Sequence, residues 1–138
     1  MIGLLVVTHG RLAAELVDAA RRIVPHESPM VGISIEWDKD VDDARREIEQ
    51  GLASLDGGDG VIIATDMFGG TPTNLALTFL EPGRVEVVTG VNLPMVVKFT
   101  NLPRDLPLDE AARRMAERGR TAISVAGQIL ARRGQDAS

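Results

Sequence analysis

Four short apolar runs, each followed by a stretch with helical spacing, restrict this chain to one class of fold. Ile2-Gly3-Leu4-Leu5-Val6-Val7 is apolar without alternation, the pattern of a strand buried on both faces. Met30 to Ile35, Val61 to Thr65 and Arg84 to Thr89 repeat that pattern. Between them, Leu12 to Ile23 carries apolar residues at helical spacing and is broken by the segment from Pro25 to Pro29. A second helix opens at Asp40, with acids in its first turn where the helix dipole favours them, and runs to about Leu55. A third runs from Thr71 to about Leu80, with Thr71-Pro72 read as an N-cap and a proline at the first helical position. A short helix after Pro94 and a longer one from about Leu108 to Gly119 complete the alternation. This order predicts a doubly wound, mainly parallel α/β sheet with helices on both faces. The common strand order 2-1-3-4 is taken as the expectation. Thr121 to Val125 reads equally as helix or as a fifth strand. One domain over residues 1–132 is expected, with Arg133 to Ser138 a frayed tail.

Composition then removes whole classes of function. The 138 residues hold 20 acidic and 15 basic side chains, a net charge of −5, which argues against nucleic acid as a partner. No cysteine is present, so thiolate chemistry, disulfides and thiolate metal sites are out. His9 and His26 are the two histidines, too few for a histidine-rich metal cluster. No acidic loop has calcium-ligand spacing, and neither a metal nor a cofactor is expected. No apolar run approaches the roughly 20 residues of a membrane helix, and the first strand is too short for a secretory signal. A cytoplasmic protein, not itself embedded in a membrane, is expected.

The chemistry concentrates at one sheet edge. His9 ends the first strand and Asp66 ends the third, so the expected order sets them side by side at the topological switch point. A carboxylate on one imidazole nitrogen fixes the tautomer and leaves the other nitrogen free to act. A plain strand-end turn is the competing account of Asp66. Gly69-Gly70-Thr71-Pro72 adds a flexible turn and a helix start, where backbone N–H groups favour an anion. Thr71 is read both as a helix cap and as a contact for a phosphoryl oxygen. This is no Walker loop, because the Gly-Lys-Ser/Thr ending is missing. Together these residues suggest a histidine that transiently carries phosphate.

Three blocks of residues resemble the enzyme IIA domain of the mannose-type sugar phosphotransferase system. They are Val6-Val7-Thr8-His9-Gly10, Asp66 to Asn74, and Gly90-Val91-Asn92-Leu93-Pro94-Met95, in matching order and spacing. The resemblance implies that His9 takes phosphate on Nε2 from the phosphocarrier protein HPr and passes it to a IIB component. It implies that Asp66 holds Nδ1, that Thr71 sits beside the phosphoryl group, and that Gly10, Gly69 and Gly70 shape the phosphate loop. Asn92 and Pro94 would belong to the third active-edge loop. It also implies a homodimer in which a C-terminal strand, within Thr121 to Leu130, crosses antiparallel to the partner's sheet.

Other readings use the same residues. A regulatory protein could present its phosphorylated and free forms to different targets, without a permease. A phosphohydrolase is weaker, because Thr8 rather than arginine precedes His9, and His26 falls in a loop at the opposite, amino edge. A Thr71/His9/Asp66 triad lacks a nucleophile elbow. Arg11 reads as a solvated helix-start residue or a phosphate contact. Trp37, Met67 and Phe68 read as an apolar docking rim, or Trp37 as packing over the end of the second strand.

Overall fold

A computed structural model describes residues 1–25 and 27–136. Its strands are β1 (Gly3–His9), β2 (Met30–Ile35), β3 (Val61–Thr65) and β4 (Val85–Thr89). Its helices are α1 (Leu12–Ile23), α2 (Val41–Leu55), α3 (Thr71–Leu77), α4 (Leu93–Thr100), α5 (Leu108–Thr121) and α6 (Ala126–Asp136). The strands form one parallel sheet in the order β2-β1-β3-β4, as expected.

The two-sided apolar strands build two cores. Leu4 and Val6 of β1, with Ile62 and Ala64 of β3, pack against α1, α4 and α5. The alternate residues, Leu5 and Val7 with Val61 and Ile63, pack against α2 and α3. Period-two alternation within each strand thus feeds both layers at once. The central strands leave little for the surface, so β1 is buried from Gly3 to Thr8 and β3 throughout. Close packing of α1 on β2 requires Gly32, where a Cβ would lie 2.9 Å from the Ala13 carbonyl oxygen.

One helix boundary is corrected, and one open choice is decided. Helix α3 ends at Leu77 rather than Leu80, because the N–H groups of Thr78, Phe79 and Leu80 bond three residues back instead of four. The Thr78 hydroxyl also takes the Leu75 carbonyl, closing that turn. Of the two readings open for the segment after α5, the strand is not the one adopted: among the described residues no fifth strand forms. Thr121 ends α5, Ala122 caps it in a helical conformation, and α6 begins at Ala126. Its residues Ala126, Gln128, Leu130, Ala131, Arg132 and Arg133 are strong helix formers, with Ile129 its one β-branched residue, whereas Thr121, Ile123 and Val125 crowd the segment before it. Helix α6 runs on through Arg133 to Asp136. His26, expected in a solvated loop, and residues 137–138 of the expected frayed tail lie outside the described residues.

Candidate active site

The parallel sheet brings the carboxyl ends of β1 and β3 together. His9 is the last residue of β1 and Asp66 follows the last residue of β3. The Asp66 carboxylate reaches back to His9 through a single oxygen. Oδ2 accepts the His9 backbone N–H at 3.0 Å and faces its ring Nδ1 at 2.8 Å. The second oxygen, Oδ1, accepts the Met67 N–H at 3.0 Å. A carboxylate so placed only accepts, so Nδ1 is the nitrogen that carries the proton, and in the neutral ring Nε2 presents its lone pair. The side chains of His9 and Asp66 are 24% and 14% exposed, so the pair is sheltered while the ring stays reachable from solvent.

The ring is seated against the start of α3. A Cβ at position 70 would lie 2.5 Å from His9 Cε1 and 2.9 Å from Nε2, a distance no side chain tolerates. Gly70 is therefore required for close approach, since its φ of −95° suits any residue. Gly69 is required for a different reason: its φ of +94° lies in the left-handed region. Gly10, with φ +56°, turns the chain from β1 into α1 in the same way. Nε2 thus faces the beginning of a helix, whose first N–H groups have no partner within the helix.

Gly70, not Thr71, occupies the N-cap of α3, which corrects the capping role expected of Thr71. Thr71 and Pro72 are instead the first two helical residues, with the Thr71 side chain exposed. The Asn92 amide is turned to structural use. Its Oδ1 caps α4 by accepting the Met95 N–H at 3.1 Å, and its Nδ2 donates to the Gly119 carbonyl at the end of α5. Pro94 lies in the first turn of α4. The loop they occupy is pinned to the same edge through Val91 N–H on the Thr65 carbonyl. Arg11 holds the N-cap position of α1 without a side-chain cap bond, and it is exposed. Met67 and Phe68 are also exposed beside the site.

Three threonines and a tryptophan, which sequence reasoning gave no role in holding the site together, do so. Thr8, fully buried, accepts the Ala13 N–H at 2.7 Å and so caps α1 from within the strand. Thr73 donates its hydroxyl proton to the Met67 carbonyl and accepts one from Thr65 at 2.7 Å. That relay ties the Asp66-Met67 turn to α3. The indole of Trp37, beyond the end of β2, stacks on the His9 ring with centroids 5.4 Å apart. A polar residue closing an otherwise apolar run was the available signal for Thr8 and Thr65; Trp37 was expected as a docking rim or as packing over β2, not as a stack on His9. Among the described residues no cluster of acidic or histidine side chains could hold a metal ion.

An imidazole with a fixed Nδ1–H, a free Nε2 and a carboxylate behind it suits nucleophilic attack on phosphorus, because the ring gains positive charge as the Nε2–P bond forms. The comparisons with known proteins bear directly on such a site. The family model described as PTS system fructose IIA component matches residues 3–116. The chain is 24% identical over 131 residues to the PTS system fructose-specific EIIA component of Bacillus subtilis, covering 94% of this chain and 90% of that protein. It is 28% identical over 124 residues to the PTS system mannose-specific EIIAB component of Escherichia coli, covering 88% of this chain but 38% of that longer protein. Among solved structures, a PTS IIA protein associated with the fucose utilization operon of Streptococcus pneumoniae superposes with a TM-score of 0.81 at 25% identity, covering 94% and 96% of the two chains. The mannose/sorbose-specific IIA subunit from Enterococcus faecalis gives 0.78 at 24% identity, covering 89% of this chain and 92% of that one. With the match running from β1 through most of α5, the chain belongs to the EIIA-man family of phosphotransferase-system IIA components.

Proposed function

We propose that this protein is a phosphocarrier of the sugar phosphotransferase system, in which His9 Nε2 accepts a phosphoryl group from phosphorylated HPr and passes it to a IIB component. The observation that carries the reading is the double hold of Asp66 Oδ2 on the His9 backbone N–H and Nδ1. In the first step the Nε2 lone pair bonds to phosphorus while the donor's N–P bond breaks, and the electron pair leaves with the donor imidazole. His9 keeps its Nδ1 proton throughout, and Asp66 balances the cationic ring. The second step runs the same displacement toward the acceptor. Positioning and electrostatics supply the catalysis, with Gly10, Gly69 and Gly70 shaping the loop and the exposed Thr71 hydroxyl and the first N–H groups of α3 available to the phosphoryl oxygens.

No helix among the described residues is long and apolar enough to cross a membrane. Exchange with HPr would place the protein in the cytoplasm. The homodimer belongs to the same proposal, supported by the exposed Ile123, Val125 and Leu130 around the start of α6.

Incubation with enzyme I, HPr and phosphoenolpyruvate, followed by mass mapping, tests the reading. One phosphoryl group on His9 is expected, lost in His9→Ala and retained in His26→Ala. Undiminished labelling of His9→Ala would overturn it.

A further inference from the structure

Trp37 is the single tryptophan of the chain, and it is 80% exposed. An indole left so open to water at a loop surface has little packing reason to be there. One contact accounts for it. Its ring lies over the His9 imidazole with centroids 5.4 Å apart and planes 23° from parallel, the offset stack that aromatic pairs favour. The same indole also covers Gly10, its Nε1 standing 3.8 Å from the place a Cβ there would occupy. The imidazole is therefore held on three sides: by the Asp66 carboxylate at Nδ1, by Gly70 near Cε1 and Nε2, and by Trp37 across a ring face.

We propose that Trp37 is a positioning residue for phosphoryl transfer, clamping His9 and favouring the ring once it turns cationic. The proposal rests on the reading of His9 as the phosphoryl acceptor. A neutral imidazole becomes an imidazolium when Nε2 bonds to phosphorus and Nδ1 keeps its proton. An aromatic face within about 6 Å of a cation attracts it through the negative ring quadrupole, and tryptophan does so best. Asp66 meets the developing charge in the ring plane and Trp37 meets it from the face. Stacking also opposes rotation of the ring, so that Nε2 stays aimed at the start of α3.

The rival role for an exposed aromatic beside His9 is a docking contact for the partner protein. A donor with no docking surface separates the two. Phosphoramidate serves: Nε2 displaces ammonia at phosphorus, the P–N bond breaks, and the Nε2–P bond forms. Labelling of His9 by phosphoramidate is expected to slow about two- to fivefold in Trp37→Ala, the range of a single exposed cation–π contact. Trp37→Phe, which keeps a π face, is expected within about twofold of the wild-type rate. Because Trp37 has no part in either core, circular dichroism should show both variants folded. Phosphorylation of the wild-type protein should also shift the emission of Trp37, and the shift should vanish in His9→Ala.

An unchanged phosphoramidate rate in Trp37→Ala would overturn the proposal, and slowing confined to phosphorylated HPr would make Trp37 a docking residue instead. A Trp37→Phe rate as low as that of Trp37→Ala, or emission indifferent to phosphorylation, would also count against it. Failure of the wild-type chain to label at His9 from either donor would sink the acceptor reading itself, independently of Trp37.

Discussion

Asp66 Oδ2 accepts both the backbone N–H and the ring Nδ1 of His9, so one oxygen fixes the place of the residue and the orientation of its ring. The two residues are 57 apart in sequence and adjacent only because β1 and β3 pair in parallel. Had another strand intervened, neither bond would exist.

Replacing Asp66 by Asn keeps the shape and removes the charge. A hydrogen bond to a charged group contributes about 1.5–3 kcal/mol, against about 1 for a neutral one, and the difference matters most when the ring is cationic. Phosphoryl uptake by Asp66→Asn is expected to fall about two- to thirtyfold while the circular dichroism spectrum is retained. Rapid-quench measurement of uptake from phosphorylated HPr checks this, and wild-type kinetics would remove the charge of Asp66 from the mechanism.

The hydroxyl relay from Thr65 through Thr73 to the Met67 carbonyl predicts an asymmetric cost. Thr73 is fully buried. Thr73→Val removes the acceptor for Thr65 and the donor for Met67 in one change, at about 1–3 kcal/mol. Thr73→Ser keeps the hydroxyl and should lose less. Urea unfolding of the two variants measures the gap. Equal destabilisation would show that the methyl group, not the relay, matters at this position.

The start of α5 carries a pH-dependent contact far from the site. Hydrogen bonds from Arg113, and then Arg114, hold the Glu110 carboxyl below its ordinary value of 4.5. Its folded pKa is thus depressed, so the contact contributes above the unfolded value and is lost as pH falls through the folded one. Wild-type Tm should slightly exceed that of Glu110→Gln at pH 7, and the two should converge well below 4.5. Thermal melts at both pH values test the sign, and a gap that widens in acid would contradict it.

The sheet and its edge were legible because strands buried on both faces announce themselves in Leu4-Leu5-Val6-Val7 and Val61-Ile62-Ile63-Ala64, whatever surrounds them. His9 and Asp66 followed from strand order. The C-terminal segment stayed open between helix and strand because Thr121, Ile123 and Val125 have strand propensity, while helix formation in the next eleven residues depends on their own composition. Thr71 was taken for the cap of α3 because threonine before proline suits that role, yet Gly70 holds it so that the ring of His9 fits. The Trp37 stack and the Thr73 relay join loops whose approach no local pattern encodes.

The fit at Gly70 yields the sharpest prediction. A methyl group there would stand 2.5 Å from His9 Cε1, so the imidazole or the start of α3 must move. The backbone angles of Gly70 suit alanine, and although alanine is a poorer N-cap than glycine, global stability should fall only modestly. The main effect should appear in function. Displacing a reacting atom by about 1 Å costs on the order of a hundredfold in rate, and that is the loss expected of Gly70→Ala in phosphoryl uptake, with Tm only modestly lower. Gly69→Ala should do the reverse: its Cβ meets nothing, but its φ of +94° strains any side chain, so Tm should drop more than the rate. Measuring rate and Tm for both variants separates close approach from backbone strain. A Gly70→Ala protein that labels His9 at the normal rate would show that the ring does not need this seat.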